Sequence, residues 1–324
     1  MEIILTHGDL DGLTSAAIVY DVLVCKGEKV SIRIAQPFNL YQALREIRSI
    51  NKLEKLWIMD IGIDEATWRN TRNELHGILS KGTRIIWVDH HVATLKHFLE
   101  LSEMGITLLF ESERCTVTII GKALLHLTSD PSFYKKLIII GEVGDKVRRV
   151  GDKDPLYSII EVLGSSLAYM PVDDAFKVNL IKMWVNEKKL VNDEIVLRAE
   201  NAIKKLEELL KGIDERIIYS GDKIIIIDLR DVKVHGYAGK IASHIASKTG
   251  KVALLAFNTN AYETIITCRV PPSREFNASK ILPELAEKYN GGGGGHEKAA
   301  SIRIPVTMFE DVIKEFRKLE SQIK

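Results

Sequence analysis

Four times within the first 145 residues an apolar run ends in a carboxylate or an imidazole, and this recurrence restricts the fold more than any other feature of the chain. Ile3-Ile4-Leu5 leads into Thr6-His7-Gly8-Asp9-Leu10-Asp11-Gly12. Lys55-Leu56-Trp57-Ile58-Met59 ends in Asp60-Ile61-Gly62, Arg84-Ile85-Ile86-Trp87-Val88 ends in Asp89-His90-His91, and the helix-like run Leu137 to Ile140 passes into Gly141-Glu142-Val143-Gly144-Asp145. The first loop then opens an amphipathic segment (Leu13, Ala16, Ala17, Val19, Tyr20, Leu23), which reads as strand, loop, helix. Loops of this kind lie at the carboxyl edge of a parallel sheet, where α/β proteins place their sites. A phosphate cradle would offer glycines and a helix N-terminus. This loop instead projects two carboxylates and an imidazole, which suits cations.

Taken singly, each residue has an ordinary explanation. Asp9 would cap a helix, Asp60 would form a turn, and Asp145 would mark an exposed helix end. Taken together, Asp9, Asp11, Asp60, His90 and Asp145, with His7 and His91 beside them, would repel strongly in one cleft without cations. Oxygen-rich ligands with one or two imidazoles suit Mn²⁺ or Mg²⁺, and paired metals about 3.5–4 Å apart are the standard arrangement for phosphoester hydrolysis.

Between these landmarks strand and helix alternate. Lys29 to Ala35 reads as a strand, Tyr41 to Ile50 as a helix, a further helix runs to Leu79, and Thr107 to Phe110 is a short strand followed by a helix to Leu127. Arg114 and Thr116 at the start of that last helix read as capping residues rather than phosphate contacts. Met183 to Lys211 reads as one long charged helix, with Glu200, Lys204, Glu207 and Lys211 at helical spacing. Beyond it the pattern restarts. Ile217 to Tyr219 and Lys223 to Leu229 pair across a turn, Tyr237 to Lys248 forms a helix, and Val252 to Asn258 and Thr264 to Val270 form strands. The expected architecture is two α/β domains: residues 1–182 with a parallel sheet, a helical linker at 183–212, and a smaller domain at 213–324, with the active site in the cleft between them.

The second domain carries five consecutive glycines, Gly291 to Gly295, followed by His296 and a strand from Ser301 to Pro305. Such a run is a poor strand interior, so it is expected to be a loop whose backbone amides approach a ligand closely. A flexible linker would carry Ser and Thr and would separate domains.

Composition narrows the class. At 46% hydrophobic and 27% charged, 324 residues make an ordinary globular chain rather than a disordered one. Forty-five basic and 44 acidic residues leave a net charge of +1, so a polyanion must be held locally. Arg148, Arg149, Lys153, Lys233 and Arg274 are candidates for guiding a strand, or simply solvated surface. Cys25, Cys115 and Cys268 are too few and too widely spaced for a disulfide framework or a thiolate zinc site. With no targeting segment or membrane-length apolar run, the expected location is cytoplasmic, with no membrane partner.

In its ordered motifs the chain resembles the DHH phosphoesterase family, named for the run seen here as Asp89-His90-His91. The first motif is matched by His7, Asp9, Asp11 and Gly12, the second by Asp60, the fourth by Asp145, and the glycine run with His296 resembles the DHH-associated domain that binds substrate. The resemblance implies two Mn²⁺ ions, with Mg²⁺ as a substitute. Asp9 and Asp60 would hold one ion, with His7 a candidate ligand beside them. Asp11, Asp60, His90 and Asp145 would hold the other. Asp89 would orient a neighbouring ligand and His91 would touch the scissile phosphate. Arg269, Gly293, Gly294, Gly295 and His296 would hold the substrate's phosphate or end.

Many relatives place the first-motif histidine four residues before the aspartate; here the interval is two. That short form is similar to the archaeal RecJ-like branch and, by size and layout, to its Hef-associated nucleases. It implies a 3′→5′ exonuclease on single-stranded DNA, with RNA as a further substrate, in repair or replication. It also implies a homo-oligomer, trimer or dimer, and a repair helicase such as Hef as partner. The alternative within the same family is a small-substrate phosphodiesterase or phosphatase acting on nanoRNA, a nucleoside bisphosphate or a cyclic dinucleotide. A replication scaffold, which keeps the fold and loses the ligands, fits less well because every metal-binding aspartate and His90 is present.

Overall fold

The computed structural model describes residues 1–323. The chain forms two compact units, Met1–Glu200 and Asn201–Lys324. In the first unit β1 (Glu2–Thr6), α1 (Leu10–Cys25), β2 (Val30–Ile34), α2 (Leu40–Arg48), β3 (Lys55–Met59), α3 (Trp68–Leu79), β4 (Arg84–Asp89), α4 (Val92–Lys96), α5 (Phe98–Glu103) and β5 (Thr107–Phe110) alternate. They are followed by α6 (Thr116–Leu124), α7 (Pro131–Gly144), α8 (Pro155–Tyr169), α9 (Asp174–Glu187) and α10 (Asp193–Leu210). All five strands run parallel in the order β2-β1-β3-β4-β5.

Strand alternation explains the layering. Ile3, Leu5, Leu56, Ile58, Ile85 and Trp87 face one core with α2 and α3, whereas Ile4, Met59 and Val88 face another with α1, α6, α7, α8 and α9. The strand order reverses between β1 and β3, so the connections leaving their carboxyl ends run in opposite directions, and the acidic loops lie at this switch point.

The second unit contains β6 (Ile217–Ser220), β7 (Ile224–Asp228), α11 (Ala238–Thr249), β8 (Val252–Asn258), β9 (Glu263–Arg269), α12 (Ala278–Lys288), β10 (Gly292–His296), β11 (Ala299–Pro305) and α13 (Phe309–Leu319). Its sheet order is β10-β11-β9-β8-β7-β6, mixed in direction, with β7 and β8 parallel and the other neighbours antiparallel. Residues from α12 and α13 share a core with one face of this sheet.

Two expectations change. The charged helix expected over Met183 to Lys211 is two helices, because Lys188 adopts a left-handed conformation (φ 53°) that ends α9. The glycine run is not a loop. Gly292–His296 is an edge strand paired with Ala299–Arg303. The close approach that the glycines permit is to the neighbouring strand itself: a Cβ on Gly293 would collide with the Ser301 carbonyl, and one on Gly295 (φ 138°) would lie 2.5 Å from the Ala299 carbonyl oxygen. As an edge strand it bonds on one side only, so the weak strand propensity of glycine is tolerated.

Candidate metal centre

The first loop is folded by its own backbone needs. Asp9 caps α1 by accepting from the Gly12 amide at 3.0 Å, and the Thr6 hydroxyl donates to the Gly12 carbonyl at 2.7 Å. A Cβ on Gly12 would come within 2.5 Å of the His7 carbonyl oxygen, so only glycine allows this tight entry. His7 donates from Nε2 to Gln36 Oε1 at 2.8 Å. In the neutral ring this leaves the lone pair on Nδ1, which lies 3.0 Å from Asp9 Oδ2 and 3.7 Å from Asp60 Oδ2. Gln36, at the end of β2, is a participant that no sequence motif announced.

Asp60 takes up a left-handed backbone conformation (φ 59°) directly after β3, which aspartate tolerates better than most residues. It is 2% exposed and sits between two groups of ligands. His7, Asp9 and Asp60 form one, with ligand atoms within 4.8 Å of one another, and Asp11, His90 and Asp145 form the other. His90 Nε2 faces Asp60 Oδ1 at 3.4 Å, Asp145 Oδ2 at 3.8 Å and Asp11 Oδ2 at 3.9 Å. Asp60 therefore presents one oxygen to each group. Such gaps are mostly long for hydrogen bonds and close to the spacing of about 3 Å between neighbouring ligands of an octahedral cation. Oxygen donors with one imidazole per group, and no thiolate, suit a hard divalent ion.

The charge state supports the same fit. Burial, with Asp9 next to it, pushes the Asp60 carboxyl up to about 7. Burial together with the charges of Asp60, Asp9 and Asp145 raises Asp11 well above the usual carboxylate range. Burial also acts on Asp9, but the His7 imidazole overrides it and holds that carboxyl low, and Asp9 in turn raises His7. The raised Asp60 and Asp11 carboxyls mean that ionising the whole cluster is disfavoured until a further positive charge joins it.

Asp89 is fully buried and lies with Asp60 and His91 in a further group whose ligand atoms are within 4.8 Å of one another. Its Oδ1 accepts from His91 Nδ1 at 2.7 Å and its Oδ2 accepts from the Thr94 hydroxyl. Burial works against the charged ring of His91, yet Asp89 overrides it and holds the imidazolium pKa at about 10.

Thr116 departs from its expected role. The N-cap position of α6 is Cys115, which makes no side-chain cap. Thr116 instead donates from its hydroxyl to Asp60 Oδ1 at 3.1 Å, while its amide and that of Val117 each donate to one Asp11 oxygen at 2.7 Å. The available signal was position: Thr116 follows β5 as the acidic residues follow β1, β3 and β4. Arg114 pairs with Glu111 at 3.0 Å and Arg148 with Glu142 at 3.0 Å.

In the second unit Ala299 of β11 pairs with His296 on one side and Arg269 on the other, so both side chains lie in one row at the end of the sheet. The Arg269 guanidinium lies against Gly239 at the start of α11, where a Cβ would stand 2.5 Å from Nη2. Nη1 donates to the Cys268 carbonyl and Nε is buried without a hydrogen-bond partner; no carboxylate among the described residues pairs with this arginine. An arginine so placed beside a helix N-terminus favours an anion.

Residues 2–141 match the DHH family, N-terminal domain, and residues 221–322 match the DHHA1 domain. Among curated proteins none matches the sequence. Solved structures share the fold. The DHH domain of a protein described as a member of a family of ribosomal proteins is 17% identical with TM-score 0.70, covering 98% of this chain and 85% of that one. RecJ of Thermus thermophilus in complex with Mn²⁺ is 18% identical with TM-score 0.59, covering 99% of this chain and 52% of that one. The pGpG-specific phosphodiesterase PggH of Vibrio cholerae is 13% identical with TM-score 0.55, covering 98% and 97%. No helix among the described residues is long and apolar enough to cross a membrane.

Proposed function

We propose that the chain is a metal-dependent phosphoesterase of the DHH family, a reading supported by the matches of residues 2–141 and 221–322, and that it acts as a manganese-dependent 3′→5′ exonuclease on single-stranded DNA. The observation that carries the phosphodiesterase reading is Asp60, placed between two groups of ligands with one oxygen toward each. In this reading His7, Asp9 and Asp60 hold one cation, and Asp11, Asp60, His90 and Asp145 hold the other. Cations held there would supply a hydroxide nucleophile at neutral pH and neutralise charge on the phosphate.

The rest is the work of the chain. Asp89 fixes the His91 ring through Nδ1, so that an imidazolium is available to donate a hydrogen bond to a phosphate oxygen. Arg269 and His296 bind the terminal phosphate of the strand, and of the amides of Gly293, Gly294 and Gly295 only those facing away from β11 can join them. The short first motif supports a place in the archaeal RecJ-like branch near the Hef-associated nucleases, with a repair helicase as partner and a homo-oligomeric state.

A second reading has its own support. The fold of the pGpG-specific phosphodiesterase PggH is matched over 97% of that chain, and the two ligand groups would serve a dinucleotide as well as a longer strand. End-labelled DNA and RNA, from dinucleotides to long oligomers, incubated with Mn²⁺ or EDTA, separate the two. Mn²⁺-dependent laddering from the 3′ end of long DNA is the expected result. Cleavage confined to dinucleotides would replace the exonuclease with the small-substrate reading, and no Mn²⁺-dependent cleavage of any substrate would overturn both.

A further inference from the structure

The amino end of α6 touches two of the carboxylates that the metal reading relies on, Asp11 and Asp60, although it contributes no ligand of its own. Thr116 is fully buried, as are Asp60 and Asp11 to within 2%. Asp11 reaches across from α1, and each of its oxygens accepts a backbone amide at 2.7 Å, from Thr116 and from Val117. These are among the amides at a helix start that have no partner inside the helix, so Asp11 is held at a fixed rotation by a rigid element. The Thr116 hydroxyl adds a third contact, 3.1 Å to Asp60 Oδ1, the same oxygen that faces His90 Nε2 at 3.4 Å. Asp60 follows a strand end with a left-handed backbone, and its amide donates to the Val88 carbonyl at 2.9 Å, which anchors the main chain and leaves the side-chain rotation to be set by side-chain contacts.

We propose that Thr116 is a positioning residue for the metal pair: its hydroxyl fixes the rotation of Asp60, so that one oxygen is directed to each ligand group. The inference rests on the two-metal reading. A hydroxyl that donates to a carboxylate leaves that oxygen a second lone pair for a cation and sets the direction in which it points. Valine has nearly the same shape but cannot donate. Serine keeps the donor and loses only the methyl group.

The test is calorimetric titration of chelator-stripped protein with Mn²⁺, with thermal unfolding of each stripped variant to establish that it is folded. Wild type takes up two ions. Thr116→Val still folds but binds the ion shared by Asp60 and His90 about 10- to 100-fold more weakly, the usual cost of losing an outer hydrogen-bond partner, whereas Thr116→Ser stays within about threefold of wild type. Two outcomes overturn the inference while leaving the two-metal reading intact: Thr116→Val binds both ions as wild type does, or Thr116→Ser loses as much affinity as Thr116→Val. If wild type itself takes up no pair of ions, the two-metal reading falls and the inference falls with it.

Discussion

Helix α1 carries a buried acidic cluster at each end, and the two clusters obey opposite electrostatics. At its carboxyl-terminal end Asp21 accepts from the Ser129 amide and hydroxyl, both at 2.7 Å, and from Lys188 Nζ at 2.9 Å. Lys188 also donates to the Tyr134 hydroxyl and to the Val185 carbonyl. Burial alone would raise the Asp21 pKa, but these donors hold it below the ordinary carboxylate value. At the amino-terminal end burial prevails, and Asp11 and Asp60 are pushed up. Depth is therefore not what distinguishes a functional carboxylate from a structural one. The donors around Asp21 favour its ionised form, whereas burial and the neighbouring Asp9 disfavour that form of Asp60, an imbalance that a bound cation would reverse.

The largest expected effect comes from removing the shared ligand. Asp60→Ala should lower hydrolysis on the order of 10³-fold or more, since a bridging group acts on both cations at once. The chelated variant should melt at or above the wild-type temperature, because a buried repelling charge is gone. In wild type, Mn²⁺ at about 100 times its dissociation constant should stabilise by about 2.7 kcal/mol, roughly 5–10 °C in Tm, and EDTA should reverse it. Asp60→Ala should lose most of that response. An Asp60→Ala protein with wild-type turnover would show that the amino-terminal cluster does not need the bridge.

At the opposite end of α1 the expectation inverts. Asp21→Ala leaves Lys188 and the Ser129 amide without their acceptor and should cost about 2–3 kcal/mol of stability. Turnover below the melting range and the Mn²⁺ response should both be unchanged. Loss of metal binding in Asp21→Ala would mean that the two clusters are coupled through α1 and would end the distinction between them.

What made the amino-terminal cluster legible was local. His7, Asp9, Asp11, Asp60, Asp89, His90 and His91 each follow an apolar strand, and period-two burial with a carboxyl-edge loop can be read one segment at a time. The structure brings these residues together. Gln36 and Thr116 were not legible as participants because their roles depend on a contact made far along the chain: Thr116 reaches Asp11 from 105 residues away. The Asp21 cluster escaped for the same reason, since Ser129, Tyr134 and Lys188 meet only after α7 and α9 pack on α1. Helix α8, buried at Leu163, Ser165, Ser166, Leu167 and Ala168, has too broad an apolar surface for a clear amphipathic pattern, so its residues announce no element in the sequence. The glycine run misled because propensity argues against a strand. A neighbouring strand that needs close backbone approach reverses that preference.

The smallest expected effect is also the sharpest comparison of the two ends, because pH moves them in opposite directions. A carboxyl raised in the folded state contributes stability that is fully present below the unfolded pKa of about 3.9 and is lost as pH rises through the folded value, here about 7 for Asp60. His91, held at about 10, acts with the same sign at higher pH: its contribution is complete below about 6.5 and fades as pH rises through 10. Asp21 has the opposite sign, its stabilisation being present above about 3.9 and lost on further acidification. Chelated wild type should therefore be most stable in mild acid, and its Tm should fall by a few degrees, roughly 1–2 kcal/mol, between pH 5.5 and pH 8. Asp60→Asn should remove the part of that fall below about pH 7 and leave the part that His91 contributes above about pH 6.5, and Asp21→Asn should flatten only the acid limb below about pH 4. Saturating Mn²⁺ should invert the neutral limb, since the cation binds the ionised carboxylates that otherwise repel one another. Differential scanning calorimetry across this range reads all three. A chelated wild type whose Tm climbs steadily to pH 8 would mean that the amino-terminal carboxylates are already balanced by the protein, and the contrast along α1 would be lost.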